Sequence, residues 1–379
     1  MNLFMLDFLD DDILLFRKRK RNAIYAFLLA HHFPFRQNPP NLHVDCVQHG
    51  GANFLFDHAD DQTLEKVTRL NLHCFNLIYD RFKHYWEHGM DANSRFTHVH
   101  RRALTGRAAL GLLLFYMAHG PSHTALALFA GVSLATISRY LKWGRLALSR
   151  SLNEIPQATM DCPPEDYLCA LGDRIAEIQD PVMRGCVIVV DGSLHPLEKN
   201  YEAQDNFFYD KHHPDYNGWK ACYCKKGLYF FCLDGTIVWY SIDCPGSWAD
   251  GRIFQQSLSF IDSLPQGLWI LGDSAFPVIP NRVERVRKER ESLPEDIVRR
   301  EFQLRLEVFS SRVRISSEWG IKDLKRTWVL LTMKMPSDDE EVRVLNWTNA
   351  MKLNNLRVRI MRVGQIACVF VGDVQMEVE

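Results

Sequence analysis

Two apolar runs, Val-Ile-Val-Val ending at Asp191 and Trp-Ile-Leu-Gly ending at Asp273, stand out in the hydrophobic pattern. Continuous apolar runs of this length read as buried central strands, each delivering an Asp where the strand meets solvent. Ahead of them, from Thr63 to about Arg150, the pattern is helical. Leu64, Val67, Leu70, Leu72, Phe75, Ile78 and Phe82 recur at three-to-four spacing, and a second helix is expected over Leu104–Met117, broken at Gly120-Pro121. The stretch Ser122–Leu141 has the layout of a helix-turn-helix. Gly131 permits the turn, Ser133 caps the second helix, Ile137 and Leu141 face inward, and Ser138 and Arg139 point outward toward any DNA. An ordinary helical hairpin has the same pattern.

Beyond a boundary at Pro156–Pro164 the pattern alternates between strand and helix. Strands are expected over Cys186–Asp191, Trp219–Cys224, Leu228–Leu233, Thr236–Ile242 and Leu268–Gly272, with turns at Lys226-Gly and Asp234-Gly. A helix is expected over Asp250–Ile261 and a long charged helical region over 281–327. Asp234 and Asp243 read as turn residues. Residues 33–60 read as a linker, rich in Pro, Asn, Gly and His. The organisation expected is therefore an N-terminal basic arm and linker (1–62), a helical domain (63–155) and an α/β domain (160–365).

Composition narrows the function classes. With 379 residues, 47% hydrophobic and 12% aromatic, the chain is globular and long enough for two or three domains. A formal charge of −1 excludes a uniformly basic coat, so any nucleic-acid affinity must come from local patches. Arg17–Arg21 is one such patch, readable as a nuclear import signal, a phosphate-contacting arm or the solvated start of a helix. Residues 282–326 are another, with 13 Lys/Arg against 9 Asp/Glu, a net +4. The longest apolar run, Ala108–Ala118, is too short to span a bilayer, and Asp7, Asp10, Asp11 and Asp12 do not fit a secretory leader. Ten scattered cysteines then read as reduced thiols. Cys222-x-Cys224 lies in a strand pattern with no second pair to complete a zinc site.

A strand ending in Asp191, two more strands, a helix, a strand ending in Asp273 and a helix carrying Glu318 follow one another in the order of the ribonuclease H-like fold. In that mixed sheet the first and fourth strands lie side by side. Two strand-end carboxylates and one helical carboxylate then suit a pair of divalent cations serving phosphodiester chemistry. For Asp191 and Asp273 the plain alternative is a turn-capping Asp. For Glu318 it is a solvated helix face, which Glu301 and Glu307 share.

The motifs Val-Val-Asp191-Gly-Ser, Cys244-Pro-Gly-Ser-Trp-Ala-Asp250, Gly272-Asp273-Ser-Ala-Phe276-Pro and Arg314-Ile-Ser-Ser-Glu318-Trp-Gly with Leu324-Lys325-Arg326 resemble the PIF/Harbinger DDE transposase family over roughly residues 160–360. The helical segment near 100–150 is similar to the helix-turn-helix that precedes such domains. This resemblance implies Asp191, Asp273 and Glu318 as catalytic and metal-binding residues for two Mg²⁺ or Mn²⁺ ions. It leaves Asp250 either as a further acid or as a helix cap. It implies cleavage and transfer of double-stranded DNA at transposon ends into target DNA, in the nucleus, with a Myb/SANT-like accessory protein and a homo-oligomer as partners and no membrane. Arg314, Lys322, Lys325 and Arg326 flank the Glu as phosphate contacts. The chain departs from the family pattern at Ser193 for Thr, Ala249 for His, Phe276 for Tyr and Ile321-Lys322 for Phe-Gly. A decayed, domesticated DNA-binding or scaffold protein is the alternative function, and a general ribonuclease H-like nuclease is a third.

Overall fold

The computed structural model describes residues 51–88, 103–198, 212–285 and 292–371. The Arg17–Arg21 run, most of the basic arm and Lys211 lie outside the described residues. The chain divides into two compact units, Met1–Leu148 and Ser149–Glu379.

In the first unit the described elements are helical: α1 (Gly51–His58), α2 (Asp61–Thr68), α3 (Leu72–His88), α4 (Gly106–His119), α5 (His123–Ala130) and α6 (Leu134–Asn153), the last running across the division between units. Helix α1 corrects the linker expected over 33–60: within the described part, Ala52 and Phe56 are fully buried, so this segment joins the core. The three-to-four pattern after Thr63 is two helices rather than one. Asp60 caps α2 by accepting from the Thr63 N–H, and Arg69, at φ 66°, ends it in the left-handed region. Leu64, Leu70, Phe75, Ile78 and Phe82 are buried as the spacing requires, each side chain contributing about 1.5–3 kcal/mol relative to exposure. Helix α4 is buried on every face from Ala108 to Ala118, which explains its unbroken apolar sequence. Ser122 caps α5, and Gly131, at φ 67°, stops it. A residue with a Cβ is strained at that φ, so glycine sets the break. Helices α5 and α6 meet at 99°. Among the described residues no single helix is long and apolar enough to cross a membrane.

The second unit is mixed α/β. After α7 (Glu165–Ile178) come β1 (Cys186–Pro196), β2 (Tyr216–Asn217), β3 (Cys222–Cys232), β4 (Ile237–Pro245), α8 (Asp250–Phe254), α9 (Leu258–Ser263), β5 (Trp269–Gly272), β6 (Val283–Arg285), α10 (Ile297–Thr327), α11 (Glu340–Leu356) and α12 (Gln365–Phe370). The sheet runs β4-β3-β1-β5-β6, with β2 also on β3. β1, β3 and β4 pair antiparallel, whereas β1, β5 and β6 pair parallel. Buried Val187–Val190 and Trp269–Leu271 form its centre, as their apolar runs require.

Four sequence expectations are corrected here. The segments Trp219–Cys224 and Leu228–Leu233 belong to one strand, β3, which continues through Lys226-Gly227 because both residues pair with β1, opposite Leu194 and Ser193. The irregularity at this point appears on the other side, as a register shift against β4. Trp219 precedes that strand and is 90% exposed, so the strand expected to begin there starts only at Cys222. The helix over Asp250–Ile261 is interrupted by a 3-10 turn at Gln255–Ser257. The helical region at 281–327 begins with β6, and α10 starts only at Ile297, where Asp296 accepts from the Arg299 N–H.

Candidate active site

Strand pairing places the two aspartates. β1 and β5 run parallel with Val189 opposite Leu271. Two residues further along, the chain reaches Asp273 just after β5 and Asp191 in the middle of β1; the strand expected to end at Asp191 instead runs on to Pro196, because residues 191–196 keep pairing with β3. Asp191 Oδ1 accepts from the adjacent Gly192 N–H at 2.7 Å. Asp273 Oδ1 accepts from the Ala275 N–H at 2.7 Å, closing an Asx-type turn. Behind it, Phe276 is buried against the Phe254 ring at 5.5 Å, an apolar plug with no hydroxyl to offer the site.

Glu318 lies on α10, near enough for its charge to act on the Asp191 carboxyl. Ser316 and Ser317 turn inward, and Gly320 lies against β3 so closely that a Cβ would sit 2.7 Å from the Phe231 ring. Absence of a side chain at 320 therefore sets how near the helix packs. Glu318 itself is 48% exposed and forms an ion pair with Arg314, one turn earlier, at 2.8 Å.

Electrostatics shows that the three acids share one field. Burial pushes the Asp191 carboxyl up to about 6, and the negative charges of Asp273 and Glu318 push it the same way, against the Gly192 N–H and Arg314. As they stand, no three His, Cys, Asp or Glu side chains among the described residues are drawn together tightly enough to hold a metal ion. The oxygen donors suit hard divalent cations, and Glu318 is paired with Arg314 instead.

Asp250 does not cap its helix. The N-cap position is Ala249, without a side-chain hydrogen bond, and Asp250 follows it in the first turn. Its carboxylate takes the Lys226 ammonium at 2.9 Å and lies beside Gly192, where a Cβ would be 3.3 Å from Oδ1. Lys226 pairs across the sheet with Leu194, so this ion pair adjoins the Asp191 strand.

The expected phosphate contacts separate into two groups. Lys322 and Arg326 are exposed on α10, as are Ser138 and Arg139 on α6. Arg314 is committed to Glu318. Lys325 is turned inward and donates from Nζ to the Leu194 carbonyl of β1 at 2.9 Å. The sequence reading also missed the clamp made by Arg343, whose Nε and Nη2 grip Asp243 at 2.7 and 2.8 Å while Nη1 donates to the Pro336 and Ser337 carbonyls. A positive φ of 59° at Asp243 goes with that clamp, and nothing local in the sequence marks it.

Residues 190–368 match the DDE superfamily endonuclease family. The match begins one residue before Asp191 and takes in Asp273 and Glu318. The mixed sheet with its flanking helices fits a DDE nuclease fold, and the family carries a transposase-like nuclease activity that generally uses divalent metals and acts on DNA. No curated protein and no solved structure matches the chain.

Proposed function

We propose that this chain is a metal-dependent DNA endonuclease of the PIF/Harbinger transposase type, cutting and transferring strands at transposon ends. The observation that supports the proposal is the pairing of β1 with β5, Val189 opposite Leu271, two residues before Asp191 and Asp273, together with the charges of Asp273 and Glu318 acting on the Asp191 carboxyl. Asp191, Asp273 and Glu318 would hold two divalent cations, which supply Lewis-acid stabilisation and an activated water or 3′-hydroxyl when bound. The chain's own residues do the rest. Arg314 neutralises Glu318 in the free protein, and exposed Lys322 and Arg326 offer charge to the DNA backbone beside the acids. Ser138 and Arg139, in the first half of α6 after the 99° bend, are the contacts proposed for a separate helix-turn-helix.

Nuclear localisation, read from the basic run Arg17–Arg21, a homo-oligomer and the Myb/SANT-like accessory protein implied by the sequence resemblance complete the proposal. The test is cleavage of plasmid carrying element ends in Mg²⁺ or Mn²⁺, with and without such a partner. Cleavage lost in Asp191→Asn, Asp273→Asn and Glu318→Gln supports the proposal. DNA binding without cleavage under every condition would replace it with the domesticated DNA-binding reading.

A further inference from the structure

The acid of α10 is the one member of the site that is not carried on the sheet. Asp191 and Asp273 are placed by the ladder between β1 and β5. Glu318 has no such ladder, is 48% exposed, and depends on how the last turns of a 31-residue helix are fastened. Two fastenings act on the sheet side. One is steric, the seat of Gly320 on the Phe231 ring of β3. The other is polar and reaches the Asp191 strand itself: the Lys325 ammonium donates to the Leu194 carbonyl, three residues beyond Asp191.

Lys325 follows Glu318 by seven residues, two helical turns or roughly 10 Å, and so lies on nearly the same side of the helix. Its neighbours Lys322 and Arg326 are exposed, whereas Lys325 runs its stem inward and delivers its charge to backbone. Burial pushes that ammonium down to about 8, so it remains charged at neutral pH. A partly buried cation aimed at a single carbonyl costs desolvation and gives little to a phosphate outside. Next to it, His195 is fully buried, with Nε2 and the Tyr229 hydroxyl 2.9 Å apart. Burial, and then the positive charge of Lys325, push the titration of that imidazole well below its usual range.

We infer that Lys325 is a positioning residue: by tying α10 to the Leu194 carbonyl of β1 it fixes Glu318 relative to Asp191, and it is not a DNA contact. This inference rests on the DDE reading of the site. It assigns Lys325 the task that groups outside the immediate metal ligands perform in metal sites, where their loss typically costs 10–100-fold in affinity or activity.

The experiment compares the full chain with Lys325→Met, which keeps the stem and removes the ammonium, and with Lys325→Gln, which keeps an N–H donor. Three quantities are measured: Mn²⁺ affinity by calorimetry without DNA, DNA affinity in EDTA across a salt series, and kcat against KM for cleavage. Lys325→Met is expected to weaken Mn²⁺ binding and lower kcat by about 10–100-fold, with DNA affinity, its salt slope and KM unchanged and with Lys325→Gln intermediate. If instead KM rises, kcat at saturating DNA stays the same and the salt slope falls by about one, Lys325 contacts DNA and the inference is overturned. Unchanged Mn²⁺ affinity and kcat in Lys325→Met overturn it equally. Should Lys325→Met fail to fold, Lys325→Gln carries the same comparison. A parent chain that neither binds Mn²⁺ nor cleaves overturns the DDE reading itself. That outcome is distinct from an active parent whose variants behave alike.

Discussion

Arg314 and Glu318 face each other at 2.8 Å across one turn of α10, so the helical acid of the site is neutralised by a guanidinium that also acts on Asp191. Both partners are more than a third exposed, and an exposed pair at this spacing is worth only about 0.3–0.5 kcal/mol. Divalent cations or a DNA phosphate can therefore undo it at small cost. The ion pair belongs to the metal-free protein and need not survive in the working complex.

Asp191 carries a stability cost that follows from its surroundings. Its folded pKa, about 6, lies above the ordinary carboxylate value of 3.8, chiefly through burial and then through Asp273 and Glu318. The ionised form is thus disfavoured by folding: the penalty is absent below pH 4, grows as pH rises to 6, and is complete above it. Asp191→Asn keeps an acceptor for the Gly192 N–H and removes the charge. It is expected to stabilise the metal-free protein by up to about 3 kcal/mol at pH 7 and hardly at all at pH 4. Thermal melts at the two pH values check this, and equal shifts at both would contradict it.

Asp273→Asn is expected to abolish cleavage while leaving DNA affinity and melting temperature nearly unchanged. The Asn oxygen can still accept from the Ala275 N–H that shapes the turn, but it lacks the charge that holds a hard cation. Parallel cleavage and binding assays at one salt and Mg²⁺ concentration decide it. Undiminished cleavage removes Asp273 from the site.

Gly320→Ala sets two effects against each other. Helix propensity favours Ala by about 1 kcal/mol. The new methyl would meet the Phe231 ring at 2.7 Å, and overpacking of that kind costs about 1–3 kcal/mol. The clash is expected to win, lowering the melting temperature and cleavage together, with Phe231→Leu in the same chain restoring part of both. A more stable Gly320→Ala protein would show that α10 seats less tightly than its contact implies.

Arg343 is 4% exposed and holds Asp243 through two hydrogen bonds. Arg343→Met leaves that carboxylate buried without its partner, and losses of this type run at about 3–5 kcal/mol. Lys offers one point charge where the fork makes paired contacts, so Arg343→Lys is expected to recover less than half. Chemical denaturation of the three proteins measures it.

Arg139→Ala is expected to weaken DNA binding and reduce its salt slope by about one, leaving cleavage of saturated substrate intact. The side chain is exposed and, among the described residues, bonds within its own helix, to the Ala135 carbonyl and Thr136. An unchanged slope would remove α6 from the DNA interface.

Local signals determined much of this protein. The apolar runs before Asp191 and Asp273 became β1 and β5 because four or five consecutive buried side chains have few other solutions. Ser122 and Gly131 bracketed α5 because a cap and a left-handed stop act within one turn. Tertiary structure decided the rest. β6 has one apolar residue, Val283, flanked by charge, and it is a strand only because β5 offers it an edge. Lys226-Gly227 looks like a turn until β1 pairs with both residues. The polar partners were the least legible: Lys226 finds Asp250 across 24 positions, Arg343 finds Asp243 across 100, and Lys325 finds the Leu194 carbonyl across 131. A charged side chain carries no local mark of its partner. Whether it faces DNA, a metal ligand or a backbone carbonyl is settled by strand register and helix docking, and those exist only once the chain has folded.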